Sequence, residues 1–293
     1  MRRGDFARAW EISDAHLHAL RAGGGPVQMG PRHLQRIWDG EPLAGKRVLV
    51  RCYHGLGDTV QFVRFIAPLR AFAREVTLWA QPRLVRLLEA AAGADRVLPL
   101  HDGVPDVAFD CDIEIMELAH ALRAQPATIA RRVPYLFPKS SRERLPISPH
   151  ELAVGLVWRA GDWNPERSLP AQWLATLNRV RGVRFFSLQT GPAAAEAALI
   201  GAQDIGSEDA ELTAARLRCL DLAIVVDTFA AHLAGALGVP TWLLLHHDCD
   251  WRWMKDRRDC VWYPTMRLYR QPAPGDWTSV INEVKAGLEE LSG

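Results

Sequence analysis

One pattern constrains this chain more than any other: short apolar runs bounded by turn residues, each followed by a longer amphipathic stretch. Runs such as VLV and VTLW are apolar at consecutive positions, as parallel strands buried on both faces require, and the stretches between them supply the helical crossovers. In the first half the spacing predicts strands over 47–52, 75–80, 96–100 and 110–115, with helices over 58–73, 82–91 and 116–124. The alternation resumes with strands over 153–158, 183–189, 203–206, 221–226, 241–246 and 266–270. Helices are expected over 170–180, 192–200, 209–219, 228–237 and 276–291, with an irregular aromatic stretch at 247–265. The two arrays are separated by PKSSRERLPISPH, 138–150, which carries three prolines and no periodicity and reads as a linker.

The expected fold class is therefore α/β, with two Rossmann-like, doubly wound domains. The length of 293 residues agrees, at roughly 150 residues per domain. Ahead of the first array, residues 4–20 form an amphipathic pattern with Phe6, Trp10, Leu17 and Leu20 near one face, ended by the glycines at 23–25 and Pro26. The expected domains are a helical extension at 1–40, a first Rossmann-like domain at 41–145 and a second at 146–293. The last helix is expected within the second domain or packed back on the first.

Composition narrows the function. The formal net charge is +1, from 35 basic and 34 acidic residues, so no broad field exists to hold nucleic acid or an anionic membrane. Of the basic residues 31 are arginines, which bind diphosphates bidentately and keep their charge when partly buried, so a local anion site remains open. Five scattered cysteines without a C-x-x-C pair argue against a disulfide framework and for a reducing compartment. MRRGDFARAWEI lacks the apolar stretch of a signal peptide, and no apolar run approaches the roughly 18 residues of a membrane span, so a cytoplasmic protein is expected.

Ligands of doubly wound sheets bind beyond the carboxyl ends of the strands. The loops after Cys52, Trp158, Gln189, Val226 and His246 are the candidates. In HGLGDT, 54–59, Gly55 and Gly57 permit a tight turn and close backbone approach. Val60 stands where a dinucleotide fingerprint needs its third glycine, and no Gly-Lys-Ser/Thr follows, so the loop is neither fingerprint nor P-loop. Asp58 either caps the following helix or offers a carboxylate that takes a proton from a nucleophilic hydroxyl. In VVDTFAAHLAGALGVPTW, 225–242, Thr228 offers a hydroxyl together with first-turn amides, which suits a diphosphate. Asp227 is a cap or a ligand, and His232, one turn on, is a packed residue or a ligand. In VWRAGDWNPERSLP, 157–170, Arg159 or Arg167 could clamp a diphosphate or pair with Asp162 or Glu166, and Ser168 lies near the next helix. In 246–265 the His, Asp and Cys residues fit no tetrahedral metal pattern. Trp242, Trp251, Trp253 and Trp262 gather around this loop, where they stack a base or sugar or wedge the loop in place.

Together GLGDTVQFVRF, GLVW, RSLP, FFSLQTG, VDTFAAHLAGALGVPTW, DWRWMKDR and WYPTMRLYRQ resemble the glycosyltransferase domain that follows tetratricopeptide repeats in bacterial proteins, and so glycosyltransferase family nine, the ADP-heptose:lipopolysaccharide heptosyltransferases. The likeness covers 38–290, and GDFARAWEISDAHLHAL resembles the last helix of a repeat array. The resemblance implies a GT-B fold, two Rossmann-like domains facing a cleft. It further implies a metal-independent inverting transfer with Asp58 as the general base and no cofactor beyond the nucleotide-sugar donor, an ADP-sugar by family. Donor binding would fall to Gly57, Arg167, Ser168, Gln189, Asp227, Thr228, His232 and Trp251. The partners implied are that donor and a glycan, lipid-linked or protein acceptor, with peripheral membrane contact allowed. Tyr53-His54 stands where relatives carry Glu-Gln, and Thr190 where they often carry Lys. The rival expectations are an inactive nucleotide-sugar or protein-binding module and a nucleotide-sugar epimerase of the same fold.

Overall fold

Every apolar run becomes a parallel strand in the computed structural model, which describes residues 1–24, 37–91, 93–129, 133–140 and 145–293. Residues 25–36 of the 1–40 extension, with the Gly25 and Pro26 expected to end the first helix, and the middle of the 138–150 linker lie outside the described residues. Two compact units, Arg3–Phe137 and Pro138–Gly293, divide at the head of the Pro-rich segment.

In the first unit β1 (Arg47–Arg51), β2 (Glu75–Ala80), β3 (Arg96–Pro99) and β4 (Cys111–Glu114) form a parallel sheet of order β3-β2-β1-β4. Its helices are α1 (Phe6–Ala22), α2 (Leu56–Phe62), α3 (Ile66–Arg70), α4 (Val85–Leu88), α5 (Leu118–Ala121) and α6 (Pro126–Ile129). The single helix expected over 58–73 is broken: α2 begins at Leu56, a tighter turn runs over Val63–Phe65, and α3 follows. Pro68 is the cause, because it lacks the N–H that would reach the Arg64 carbonyl and its ring crowds that carbonyl. α1 belongs to this unit. Asp5 caps it, Phe6 and Trp10 are buried, and the Trp10 indole donates to the Ala124 carbonyl at 2.8 Å. Leu17 and Leu20, expected on the same face, are half-buried.

The second unit holds β5 (Leu152–Val157), β6 (Val183–Ser187), β7 (Gln203–Asp204), β8 (Leu222–Val226), β9 (Thr241–Leu245) and β10 (Met266–Arg270), all parallel, in the order β10-β9-β8-β5-β6-β7. Its helices are α7 (Ala171–Ala175), α8 (Ala197–Ile200), α9 (Ala210–Leu217), α10 (Phe229–Leu237) and α11 (Trp277–Ser292). All residues of β8 and β9 are buried, as their unbroken apolar sequences require. α11 presents Trp277, Val280, Ile281, Val284 and Leu288 to the core of this unit, in one cluster with Trp242 and Tyr269. At Gly287 an added Cβ would come within 2.8 Å of the Trp242 ring, so the helix lies flat on that indole. Trp242 is thus a core side chain and not a wall of the 246–265 loop.

These strand orders decide where chemistry can sit. In the first sheet the order reverses beside β1, between β2 and β4; in the second it reverses beside β5, between β6 and β8. At such a switch point neighbouring loops part and leave a crevice beyond the carboxyl ends of the strands. The loops after β1 and β4 flank the first crevice, and those after β5 and β8 the second.

Candidate functional site

At the second crevice β8 runs into Asp227, and Thr228 is the N-cap of α10 in an extended conformation. The Ala231 amide donates back to the Thr228 carbonyl at 3.1 Å, while the two amides ahead of it, Phe229 and Ala230, precede the first helical repeat, and the positive end of the helix dipole lies there. The Thr228 hydroxyl donates to the Val226 carbonyl at 3.2 Å, which fixes the cap without consuming those amides. From the loop after β5, the Arg167 guanidinium reaches across and donates through Nη1 to the Asp227 carbonyl at 2.9 Å. Its other side is covered by Trp163, whose ring lies 4.1 Å below the guanidinium carbon. A cation and a helix N-terminus therefore converge on one spot, an arrangement that binds diphosphates.

Beneath that spot the polar groups are buried. Burial pushes the Asp227 carboxyl above the usual range, while the Trp253 indole and the guanidinium groups of Arg167 and Arg252 pull it back. His232 Nε2 lies 3.9 Å from Asp227 Oδ1, its Nδ1 lies 3.0 Å from the Tyr263 hydroxyl, and its ring stacks on Trp253 at 5.3 Å. His232 is 5% exposed, so it is a packed residue, held between the Tyr263 hydroxyl and the Trp253 ring. Tyr263 crosses α10 where there is no side chain: a Cβ at Gly235 would meet its ring at 2.4 Å.

Other residues singled out in the sequence take different posts. Gln189 is an internal brace. Its Oε1 accepts from the amides of Trp158 at 3.2 Å and Arg159 at 2.9 Å, and its Nε2 donates to the carbonyls of Arg159 and Thr190. The Ser168 hydroxyl accepts from the Ala160 amide at 3.1 Å. Within the 246–265 loop Trp253 and Trp262 are fully buried, and the Trp262 indole donates to the Arg252 carbonyl at 3.1 Å. Trp251 stays half-buried, edge-on to Trp262 and alongside Arg252. Among the described residues no group of three or more His, Cys, Asp or Glu side chains is arranged to hold a metal ion.

At the first crevice Gly55 is the N-cap of α2, Gly57 lies in its first turn, and Asp58 Oδ2 accepts from the Gly55 amide at 2.9 Å. The capping geometry and an accessible carboxylate thus coexist, since Asp58 is half-buried. A Cβ at Gly55 would press on that carboxylate at 3.1 Å, which accounts for the glycine. The loop is tied to β2 through Gln81, which donates to the His54 carbonyl at 2.8 Å and accepts from the Thr59 hydroxyl at 3.0 Å.

Sequence reasoning passed over Glu114, at the carboxyl end of β4. Its side chain is buried, Oε2 accepts from the Met116 amide at 2.7 Å, and His54 Nε2 lies 3.9 Å from the same oxygen. Oε1 is buried without a hydrogen-bond partner among the described residues. Burial pushes this carboxyl up to about 8, and the neighbouring Glu117 and Asp58 carboxylates add to the rise. A readable signal existed: Asp112 and Glu114 put two acids at alternate positions of a strand whose other residues are apolar.

Two doubly wound α/β units, each with its crevice at the reversal of a parallel sheet, define the GT-B architecture. The solved structures that match include a glycosyl transferase family 9 protein from Veillonella parvula (14% identity, 86% of this chain and 98% of that one, TM-score 0.58). They also include the E. coli ADP-heptose heptosyltransferase II (12%, 84% and 100%, 0.60) and the E. coli heptosyltransferase WaaC with ADP (18%, 83% and 97%, 0.54). The fold of this chain is that of glycosyltransferase family nine. Among curated proteins it is similar to Protein FlbA of Caulobacter vibrioides, 25% identical over 294 residues, and it spans about half the length of that relative, 87% of this chain against 48% of the other. No family model matches the chain.

Proposed function

We propose that the chain is a glycosyltransferase that moves a sugar from a nucleotide-sugar donor to an acceptor hydroxyl. The observation that carries this reading is the convergence of Arg167 with the N-terminus of α10 at Asp227-Thr228, on a fold shared with heptosyltransferases. In this reading Thr228, the first-turn amides of α10 and Arg167 hold the diphosphate and take up the charge that develops on it as the leaving group, so the transfer needs no metal. Asp58 takes the proton of the acceptor hydroxyl as that oxygen attacks the anomeric carbon from the face opposite the diphosphate, and the configuration inverts. The capping bond from Gly55 orients the carboxylate for that proton transfer. Asp227 and His232 stand behind the phosphate site and keep the head of α10 in place. Gln189, in this reading, acts by bracing the loop that carries Arg159.

ADP is the nucleotide proposed, because the WaaC structure that shares the fold holds ADP. The acceptor is a glycan, a lipid-linked glycan or a protein, and the compartment is the cytoplasm. The compartment reading draws support from the five cysteines, all of them free thiols. No described helix is long and apolar enough to cross a membrane. A thermal-shift screen of ADP, UDP, GDP, CDP and their sugar conjugates tests the donor reading, since a bound donor stabilises the folded state by mass action. The expected outcome is a rise in melting temperature with ADP and ADP-sugars; no rise with any of them refutes it.

A further inference from the structure

We propose that Trp163 is a positioning residue of the diphosphate site: its indole holds the Arg167 guanidinium in the pose from which it meets a phosphate at the head of α10. The proposal rests on the nucleotide-sugar reading above and adds what prepares the cation before the donor arrives.

The place of Trp163 is the first sign. Trp158, Trp242, Trp253, Trp262 and Trp277 of the same unit are all buried, whereas Trp163 is 77% exposed, so the core does not hold it. A single exposed apolar side chain needs no explanation by itself, and what its ring touches decides its role. One face of the ring lies against the Arg167 guanidinium, 4.1 Å from the guanidinium carbon to the ring centroid.

The loop after β5 brings the two side chains together. Its base is closed by the Leu169 amide, which donates to the Trp158 carbonyl at 2.8 Å, and by the Ala160 amide, which donates to the Ser168 hydroxyl at 3.1 Å. Beyond these ties Asn164 caps one tight turn over Pro165–Arg167. Its side-chain oxygen accepts from the Glu166 amide at 3.0 Å, and the Ser168 amide donates to the Pro165 carbonyl at 2.9 Å. The ring of Pro165 fixes the backbone where that turn begins. Trp163 enters the turn and Arg167 completes it, so two residues four apart in the chain stack.

The chemistry of the contact suits a phosphate site. The hydrogen-bond donors of a guanidinium lie in its plane, and an aromatic ring occupies only its face. The indole thus fixes the group while its edge bonds, as Nη1 does to the Asp227 carbonyl at 2.9 Å. A carboxylate in place of the ring would draw on the same N–H groups and offset the positive charge, in competition with a diphosphate. Two anchors, a ring on the face and a carbonyl at the edge, hold a side chain that otherwise samples many rotamers. Ordering it in advance lowers the entropy lost when the anion binds.

Calorimetry on the full chain with ADP and with inorganic pyrophosphate tests this. Trp163→Ala should weaken both by about two- to fivefold, the worth of an exposed cation–π contact, and Trp163→Phe, which restores a ring, should recover most of that loss. In an Arg167→Ala background Trp163→Ala should add nothing, because the indole acts through the guanidinium. The exposed ring leaves the core untouched in both variants, so their melting temperatures without ligand should match the wild type. If the wild-type protein binds neither ADP nor pyrophosphate, the nucleotide-sugar reading falls and this role with it. If it binds them and Trp163→Ala binds them equally well, the positioning role alone is overturned. The role is overturned as well if the loss is confined to ADP or persists without Arg167, since the indole would then touch the nucleotide itself.

Discussion

Each unit places an aspartate where a strand of its sheet hands over to a helix, yet the two carboxylates end in opposite conditions. Asp58 sits inside the first turn of α2, turns back to accept the Gly55 amide and remains half-buried. Asp227 precedes the N-cap of α10, faces inward and is 7% exposed beside His232, and burial pushes its carboxyl up. A shift of a few positions relative to the helix start separates an accessible carboxylate from a buried one. In the first unit the buried acid exists too, but it comes from the adjacent strand, as Glu114. Both crevices thus pair an accessible group with a buried acid and draw the two from different places.

The largest effect that would break this contrast is on turnover. Asp58→Ala should lower kcat with a matched donor and acceptor by roughly 10²–10⁴-fold, the usual contribution of a general base, and leave donor affinity in place. Steady-state kinetics showing unchanged turnover would remove Asp58 from the chemistry and leave it a helix cap.

Glu114→Gln probes the buried acid of the same crevice through stability. With its carboxyl raised to about 8 in the folded state, the wild-type side chain is protonated there while its unfolded counterpart is ionised. The unfolded state then binds fewer protons, so wild-type stability falls as pH rises from the ordinary carboxylate value to about 8 and levels off above it. Denaturant titrations from acid to mildly alkaline pH should show the variant free of that fall. Its advantage should grow with pH to an upper bound of roughly 5 kcal/mol. Parallel curves for the two proteins would mean that Glu114 titrates normally.

For the second crevice, Arg167→Ala should weaken nucleoside diphosphate binding by about 1.5–3 kcal/mol, the loss of a charge-assisted contact, with calorimetry as the readout. Unaltered affinity would leave Arg167 as a brace for the Asp227 carbonyl. A similar but purely structural effect is expected at Gly235. An alanine methyl must displace the Tyr263 ring, at a cost of about 1–3 kcal/mol in thermal unfolding, and must disturb the Tyr263–His232 contact. An unchanged melting temperature would show that the ring yields freely and that His232 is not held as described.

How far these sites were legible in the sequence follows from the same residues. Asp227-Thr228 and Gly55–Asp58 stood out because helix starts have a local chemistry, a small or hydroxyl residue before an apolar run. Arg167 stood out as a cation close to a strand end. Gln189 and Trp242 were visible, but their roles were not. Nothing near Gln189 in the chain tells that its amide closes on the backbone of Trp158 and Arg159. Trp242 lies next to an aromatic loop in sequence and against Gly287 in space. Glu114 was passed over because an acid in a strand becomes unusual only when neighbours from other elements remove its water.

The sequence by itself determined the α/β class, the order of strands and helices and the loops worth examining. Hydrophobic periodicity, capping chemistry and proline are local properties, written within a dozen residues. Tertiary structure alone decided that β4 lies beside β1 and β8 beside β5, and hence which loops share a crevice. It also decided which carboxylates lose their water. Burial, pairing and desolvation depend on partners far away in the chain, and a linear pattern does not carry them.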